Sequence, residues 1–175
     1  MIMTTGSLRG RLAKQVRDKW GRCAIHEYMG KNGRQSAVIS AYQRPIVKGG
    51  LPRKITVSAQ HTSLLLQTNS KVTNPRTAFR ADLTKAIATY QTKQYDILLI
   101  GDFNEVLGVD PDGMVELATT CHLVDIMSSR NSSKPPATSA RGTTRIDYAL
   151  ASKHVHESLT HASYEPFNSR ISTDH

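Results

Sequence analysis

A carboxylate and an amide follow directly on a short, strongly apolar run of the chain. Residues 97–100 are all apolar, and they lead through Gly101 into Asp102 and Asn104. Such a run, bounded by turn residues, is typical of a buried strand. At positions i and i+2 of an extended backbone, Asp102 and Asn104 point to the same side. The pattern predicts a carboxylate and an amide presented together at a strand end, although an ordinary strand-to-turn junction uses the same residue types.

Further acidic groups lie much later in the chain. Asp147 is in the segment 145–150, which alternates like a strand, and Asp174 stands beside His175. If the strands belong to one pair of sheets, their ends converge into an acidic pocket with a histidine. Hydrolysis of a phosphodiester needs such a set: carboxylates for a cation, an orienting group for water, and donors for phosphoryl oxygens. The candidate ligands are mainly oxygens, which favours Mg²⁺ over Zn²⁺, with Mn²⁺ as the alternative ion.

Composition narrows the classes of function. The 175 residues suit a single α/β domain spanning 1–175, and 38% hydrophobic with 21% charged residues indicates a soluble globular class. Lysine and arginine number 23 against 14 acidic residues, a net charge of +9 with histidines neutral. That balance favours a polyanion, nucleic acid before an anionic membrane surface, or else reflects a generally basic surface. No segment approaches the roughly 20 apolar residues that span a bilayer.

The cysteines and the amino-terminal segment bear on the cellular compartment. Cys23 and Cys121 are too few and too far apart for a disulfide framework or a zinc site, so we expect reduced core thiols in an intracellular protein. Residues 1–19 are basic with no acid before Asp18, which is also typical of an organelle transit peptide. Since this segment leads into patterned sequence without a break, targeting is the weaker interpretation.

The elements that must position these residues follow from periodicity and turn signals. Asn32-Gly33 is a hairpin turn signal between two strand patterns, and Asn74-Pro75 is a helix start. Strands are predicted at 21–29, 36–42, 97–100 and 145–150, with a short extended piece at 123–126. Helices are predicted at 55–67, 75–91 and 113–121, and a long loop at 128–144. This mixture predicts α/β layers without a domain boundary.

Four motifs in order resemble the endonuclease/exonuclease/phosphatase superfamily, which includes deoxyribonuclease I, the apurinic endonucleases and the endonuclease domains of non-LTR retrotransposons. They are Ser40-Ala41-Tyr42, Gly101-Asp102-Phe103-Asn104, Arg145-Ile146-Asp147-Tyr148 and Thr173-Asp174-His175. The segments GDFNE and RIDYAL are closest to retroelement-type endonucleases. The resemblance implies a four-layer sandwich of two mixed β-sheets flanked by helices, with the site at one end.

The same resemblance implies a role for each motif residue. Asp102 would handle proton transfer at the attacking water or the leaving oxygen, and Asn104 would orient that water or the phosphate. Asp147 would hydrogen-bond His175 and fix its tautomer.

The remaining implied roles concern the metal and the phosphate. Asp174 would help to hold the metal, and Tyr42 would touch a phosphate oxygen. Each residue also has a structural alternative: Asp147 as a salt-bridged strand residue, Tyr42 as a half-buried core tyrosine, and His175 as a frayed terminus.

The chain departs from the family pattern at both ends. Nothing before Tyr42 matches the family's Asn-bearing strand or the strand with its metal-ligating Glu, and no closing strand follows His175. Thr173 stands where Ser is usual. We therefore expect a fold incomplete at both ends, a gene fragment or decayed copy whose activity is much reduced, since loss of one catalytic group commonly costs orders of magnitude.

Basic side chains surround the long loop and follow one helix. Those near the loop are predicted to contact the backbone phosphates of DNA, with RNA as the alternative partner. They are Arg130, Lys134, Arg141 and Arg145. The basic residues of the 75–91 helix are predicted to form a solvated outer face. They are Arg76, Arg80 and Lys85.

Three functions stay open at this point. The first is a Mg²⁺-dependent DNA endonuclease domain, and the second is a non-catalytic nucleic-acid-binding remnant of it. The third is a phosphatase of the same superfamily, acting on phosphoinositides or other phosphoesters. Against the third, the motif TTRIDYAL differs from the Trp-Cys-Asp-Arg form that resembles inositol phosphatases. No membrane partner and no small-molecule cofactor are expected, and a retroelement origin favours the nucleus.

Overall fold

The computed structural model describes residues 2–46, 56–68, 71–72, 74–110, 112–130, 136–139 and 143–164. Within these residues a mixed β-sheet has six strands in the order β1-β2-β3-β4-β6-β5. The strands are β1 (Leu12–Arg17), β2 (Cys23–Met29), β3 (Gln35–Tyr42), β4 (Asp96–Asp102), β5 (Leu123–Asp125) and β6 (Asp147–Ser152). The helices are α1 (Val57–Gln67), α2 (Pro75–Thr92), α3 (Met114–Thr120), α4 (Ile126–Arg130) and α5 (Lys153–Ser158).

The parallel pair β3 and β4 lies at the centre of the sheet. The strands β1, β2 and β3 form antiparallel neighbours on one side, and β6 runs antiparallel to both β4 and β5 on the other. The predicted hairpin turn is confirmed, because Asn32 adopts φ 57° within a 3-10 turn over Lys31–Gly33. Asparagine tolerates this left-handed conformation better than most residues.

Helix α2 covers one face of the sheet. Its start is the predicted one: the Asn74 side chain accepts from the Arg76 amide at 2.9 Å, and Pro75 occupies the first helical position. From there Phe79, Leu83 and Ile87 project at helical spacing into the main core. The sheet residues that meet them are Ile25, Ala37, Ile39, Ala41, Ile97, Leu99 and Leu150.

The opposite face of the sheet has a smaller apolar cluster. Ile126 and Met127 of α4 pack with Ala151 of β6, and half-buried residues of β4 and α5 surround them. The described residues form one sheet with helices on its faces. The second sheet of the expected four-layer sandwich is not among these residues and stays a prediction.

Several predicted elements agree with the structure and others differ. The strand Leu12–Arg17 was not predicted, and it pairs with β2 as an edge strand in which only Leu12 and Val16 are half-buried. The segment predicted as a long loop begins inside a helix, since α4 extends to Arg130, and 131–135 and 140–142 lie outside the described residues. Both cysteines are free thiols, as predicted. Every helix in the described part of the chain is too short or too polar to span a bilayer.

Candidate functional site

Three strand ends meet at one edge of the sheet. In the register of β3 and β4, Tyr42 is the partner of Asp102, and in that of β4 and β6, Asp102 is the partner of Asp147. Register partners on neighbouring strands carry their side chains on the same face, and strands lie about 4.8 Å apart. The structure thus brings together three of the predicted site residues within roughly 10 Å.

Asn104 reaches the same place by a turn and not by an extended backbone. The strand ends at Asp102, and Asn104 has φ 47°. Its backbone amide donates to Asp102 Oδ1 at 2.9 Å, and its Nδ2 donates to Asp102 Oδ2, also at 2.9 Å. Nδ2 also donates to the Gln43 carbonyl at 2.9 Å. The predicted proximity is therefore observed, but its cause is an Asx-type turn, which fixes both carboxylate oxygens of Asp102.

Tyr42 is 41% exposed, so part of its ring is covered and part faces solvent. Partial burial raises the pKa of its hydroxyl, the charge of Asp102 raises it further, and contact with the Asn104 side chain acts in the opposite direction. The net shift is upward, so the hydroxyl keeps its proton at neutral pH. Tyr42 can therefore donate a hydrogen bond to an anionic oxygen beside Asp102.

Two clefts open onto Asp102. The larger, of about 590 Å³, extends from Asp102 and Tyr42 across Ser40 towards His26 and Arg22. The smaller, of about 310 Å³, also contains Asp147, together with Met127 and Tyr164. Asp102 therefore borders open space in both clefts.

The position of Asp147 depends on the segment before it. The amides of Ile146 and Asp147 both donate to Thr138 Oγ1, each at 3.0 Å. The Phe103 amide donates to the Ile146 carbonyl at 2.9 Å, which continues the pairing of β4 and β6 beyond the strand. These bonds hold the start of β6 beside the end of β4.

The sequence pattern assigned no role in the site to three residues that lie near it. Glu105 is 6% exposed, Arg76 4% and Gln43 1%, and both Arg76 and Gln43 donate hydrogen bonds to the Glu105 carboxylate. One signal was present: Arg76 is at the second position of α2, where a cation is disfavoured by the helix dipole. An unfavourable charge there indicates a partner elsewhere in the fold, and that partner is Glu105, 2.8 Å away.

The predicted solvated face of α2 is wrong for two of its three residues. The side chains of Arg76 and Arg80 are 5% and 11% exposed, and both form ion pairs with Glu105. Arg80 also pairs with Asp110 at 3.3 Å. Lys85 is exposed, as predicted. The helix pattern did not reveal this, because the carboxylates come from a loop that only the tertiary fold brings alongside.

Arg145 is occupied by an ion pair with Asp125. Its side chain is 11% exposed, it forms a charged pair with Asp125, and its guanidinium lies 4.4 Å from the centre of the Tyr148 ring. Burial lowers the pKa of Arg145, but hydrogen bonds to Asp125 and Tyr164 outweigh burial and raise it. The structure gives Arg145 a structural partner, and its direct contact with nucleic acid stays a prediction.

The other predicted residues lie outside the described part of the chain. They are Lys134, Arg141, Asp174, His175 and the side chain of Arg130. Among the described residues, no group of three or more His, Cys, Asp or Glu could hold a metal ion. Asp102 and Asp147 nevertheless place two carboxylates on adjacent strands. Mg²⁺ is commonly held by one or two carboxylates together with water and substrate phosphate, so this pair fits it.

Glu27 is the only glutamate before Tyr42, and it does not take part in the site. Its carboxylate accepts hydrogen bonds from the hydroxyls of Tyr90 at 2.8 Å and Tyr95 at 3.2 Å. In register it lies opposite Ala37, near the other end of the sheet. Glu27 therefore does not supply the metal-ligating glutamate of the family pattern.

No protein-family model and no curated protein sequence matches the chain. Among solved structures it is similar to the human Nocturnin catalytic domain with bound sulfate anion, at a TM-score of 0.52 and 17% identity, over 83% of this chain and 50% of that one. For the 3′ phosphatase NExo from Neisseria, bound to product DNA hairpin, the TM-score is 0.48 at 16% identity, over 80% of this chain and 55% of that one. For the Xenopus laevis APE2 catalytic domain the TM-score is 0.42 at 13% identity, over 78% of this chain and 48% of that one.

The chain spans about half the length of these solved structures. At 17% identity, the likeness to the Nocturnin domain concerns the fold. It agrees with the architecture seen here, a mixed sheet of six described strands with helices against it. The coarse prediction is therefore confirmed: the chain has an α/β fold with a mixed sheet, similar to the fold of the Nocturnin catalytic domain.

Proposed function

We propose that this chain hydrolyses phosphodiester bonds, and that its substrate is DNA, with RNA as the alternative. One observation carries the proposal: Tyr42, Asp102 and Asp147 are register partners across three neighbouring strands, and Asn104 turns back onto Asp102. A hydroxyl donor, two carboxylates and an amide then surround one small volume. This is the set of groups that hydrolysis of a phosphoester requires.

Each residue has a chemical task in this proposal. Asp102, held by two N–H donors of Asn104, accepts the proton of the attacking water. The Tyr42 hydroxyl, which keeps its proton, donates to a phosphoryl oxygen. Asp147 adds a second carboxylate, and His175 is proposed to be its hydrogen-bonding partner.

A divalent cation completes the proposal. Mg²⁺, or Mn²⁺ in its place, neutralises charge on the phosphoryl oxygens when it is bound. Asp147, on the strand next to Asp102, would help to hold it, and Asp174 is proposed as a further ligand.

The choice of DNA rests on charge and on motif. A net charge of +9 favours a polyanionic substrate over a small anionic ester. The segments GDFNE and RIDYAL resemble retroelement-type endonucleases, so we propose a retroelement origin and, with it, a nuclear location. The loop cations Arg130, Lys134 and Arg141 are proposed to contact backbone phosphates, whereas Arg145 would act through its pairing with Asp125.

The experiment offers the protein two substrates in parallel. Supercoiled plasmid with Mg²⁺ should be converted to nicked circles, and EDTA should abolish the conversion. Release of inorganic phosphate from a soluble inositol phosphate, without nicking, would support the phosphatase alternative and contradict the proposal.

A third outcome concerns the binding remnant. Duplex binding without nicking, falling roughly 1,000-fold between about 50 and 200 mM salt, would indicate phosphate contacts without catalysis. Binding that barely changes with salt would contradict the phosphate-contact proposal as well.

A further inference from the structure

The loop that carries Asn104 also contains a buried carboxylate, that of Glu105. Glu105 follows Asn104 in sequence but turns inward. Its Oε1 accepts the Met114 amide at 2.6 Å, at the start of α3. Its Oε2 accepts from Arg76 at 2.8 Å and from the Gln43 Nε2 at 3.1 Å. Both oxygens are thus occupied by donors from three different elements.

Arg76 joins the two segments on which the site residues lie. One terminal nitrogen, Nη1, donates to the Arg44 carbonyl at 2.6 Å and to the Asn104 carbonyl at 3.3 Å. The other, Nη2, donates to Glu105. Arg44 is two residues after Tyr42, and Asn104 is two residues after Asp102. One guanidinium therefore connects the end of β3 to the loop after β4.

Gln43 makes the same connection from the other strand. The backbone amide of Gln43 donates to the Asp102 carbonyl at 2.9 Å, and its side-chain amide donates to the Phe103 carbonyl at 2.8 Å. Its own carbonyl accepts Asn104 Nδ2, the atom that also donates to Asp102. Every residue of the turn 102–104 is therefore bound to Gln43 or Arg76.

The ion pair of Arg76 and Glu105 is better explained by the geometry it fixes than by the stability it adds. A buried ion pair is often no more stabilising than apolar residues of the same volume. Burial lowers the pKa of Arg76, with the charge of Glu105 opposing it, so the environment disfavours the charge. The helix dipole disfavours it as well. What an apolar pair could not do is hold the Arg44 and Asn104 carbonyls and the Glu105 carboxylate at fixed mutual distances.

We propose that Arg76 and Glu105 are positioning residues, and that their ion pair sets the distance between Tyr42 on one strand and the Asp102–Asn104 turn on the next. This inference rests on the proposed function for its catalytic consequence. Its structural content, control of the Asn104 turn by a buried ion pair, can be tested without any activity.

The test uses three variants. Arg76→Lys keeps the charge but replaces the planar fork with a single ammonium, which cannot bond all three oxygens in the same geometry. Glu105→Gln removes the charge and replaces one acceptor oxygen by an amide donor, which must face either the Met114 amide or the donors of Arg76 and Gln43. Glu27→Gln is the matched control: it alters a hydrogen-bonded carboxylate near the other end of the sheet, roughly 15 Å away along the strand.

The first measurement is the side-chain amide signal of Asn104 by NMR, assigned from its loss in Asn104→Ser. We expect the signal to move and its exchange with water to accelerate in Arg76→Lys and Glu105→Gln, at temperatures where circular dichroism shows both folded. It should be unchanged in Glu27→Gln. An unchanged Asn104 signal in either Arg76→Lys or Glu105→Gln would overturn the inference, whatever the plasmid assay gives.

The second measurement is nicking of plasmid. We expect kcat to fall about 100-fold in Arg76→Lys and in Glu105→Gln with KM nearly unchanged, as for a misplaced catalytic group. In Glu27→Gln, kcat should stay at the wild-type value. If wild-type protein nicks and Arg76→Lys nicks equally well, the positioning role is wrong while the proposed function stands. If wild-type protein does not nick, the proposed function fails, and the NMR signal alone decides the structural inference.

Discussion

The Tyr42 hydroxyl and the Asp102 carboxylate lie on adjacent strands, and their chemistry is linked. The negative charge of Asp102 and partial burial both keep the proton on Tyr42. A tyrosine that stays neutral is a hydrogen-bond donor, and a neutral donor beside a carboxylate is suited to bind an anionic oxygen. The sequence predicted that Tyr42, Asp102 and Asp147 would lie close together, and they are register partners on three neighbouring strands.

What the sequence could not indicate at the residue scale is how Asn104 reaches Asp102. An extended backbone and an Asx turn both place these side chains close together, and only the φ of 47° distinguishes them. The roles of Arg76 and Glu105 were equally hidden, since each depends on a partner about 30 residues away along the chain.

The first prediction concerns Tyr42 and pH. Tyr42→Phe should lower the rate of plasmid nicking about 100-fold, the typical effect of losing one donor to a developing oxyanion. Because the pKa of Tyr42 is raised from its ordinary value of 10.0, the donor is present below that pH and lost only above it. A pH profile of the wild-type rate should therefore show no fall from Tyr42 below pH 10. An alkaline fall below about pH 9 that disappears in Tyr42→Phe would contradict this.

The second prediction concerns the ion pair of Asp125 and Arg145. Burial raises the pKa of Asp125, but hydrogen bonds from Arg145 and Ser128 outweigh burial and lower it from 3.8. A carboxyl with a lowered folded-state pKa stabilises the protein above its unfolded-state pKa, and this contribution disappears as pH falls through the folded-state value. Asp125→Asn should therefore lower the free energy of unfolding by about 3 kcal/mol at pH 7, measured with urea.

The control for that measurement is pH itself. The difference between wild type and Asp125→Asn should shrink as pH falls from about 3.8 towards the lower folded-state pKa of Asp125, because the unfolded wild-type chain binds a proton there before the folded chain does. A difference that stays constant down to pH 2 would show that the charge of Asp125 is not the source of the stabilisation.

At the scale of elements, the close approach of β3 and β4 determines where the site lies. Most strands and helices followed from apolar periodicity and turn signals, including the start of α2 at Asn74-Pro75. The strand β1 was not predicted, because an edge strand with only two half-buried residues has little apolar periodicity. Strand order was also beyond the sequence, since the parallel pairing of β3 with β4 joins segments separated by two helices.

The third prediction belongs to this pair of strands. A Cβ on Gly101 would lie 1.9 Å from the Ala41 carbonyl oxygen and 2.8 Å from its carbon, both of them backbone atoms of β3. Gly101→Ala should therefore separate β3 from β4 and destabilise the fold by about 3 kcal/mol or more, seen as a lower midpoint of thermal unfolding.

Gly10→Ala is the matched control, since a Cβ there meets nothing within 4 Å. It should unfold within a degree or two of wild type, at roughly the ±0.5 kcal/mol typical of surface changes. Equal midpoints for Gly101→Ala and Gly10→Ala would contradict the observed spacing of the two central strands.

At the scale of the whole molecule, a basic chain carries two carboxylates on neighbouring strands at one end of its sheet. The net charge of +9 belongs to the chain as a whole, whereas Asp102 and Asp147 concentrate negative charge at one end. In the proposed function, the net positive charge attracts a polyanion and the two carboxylates offer oxygen ligands to a cation. The sequence indicated both features, but it could not show that the two carboxylates occupy neighbouring strands, because that depends on the order of β4 and β6 in the sheet.

The most direct test of the central claim compares two aspartates of one strand. Asp102 and Asp96 lie on the same face of β4, at opposite ends and roughly 20 Å apart. Asp96 pairs with Arg34 and His154, outside the site. In a nicking assay with Mg²⁺, Asp102→Asn should reduce the rate at least about 1,000-fold, whereas Asp96→Asn should stay close to wild type. Equal rates for wild type and Asp102→Asn would show that this edge of the sheet is not where phosphodiester hydrolysis takes place.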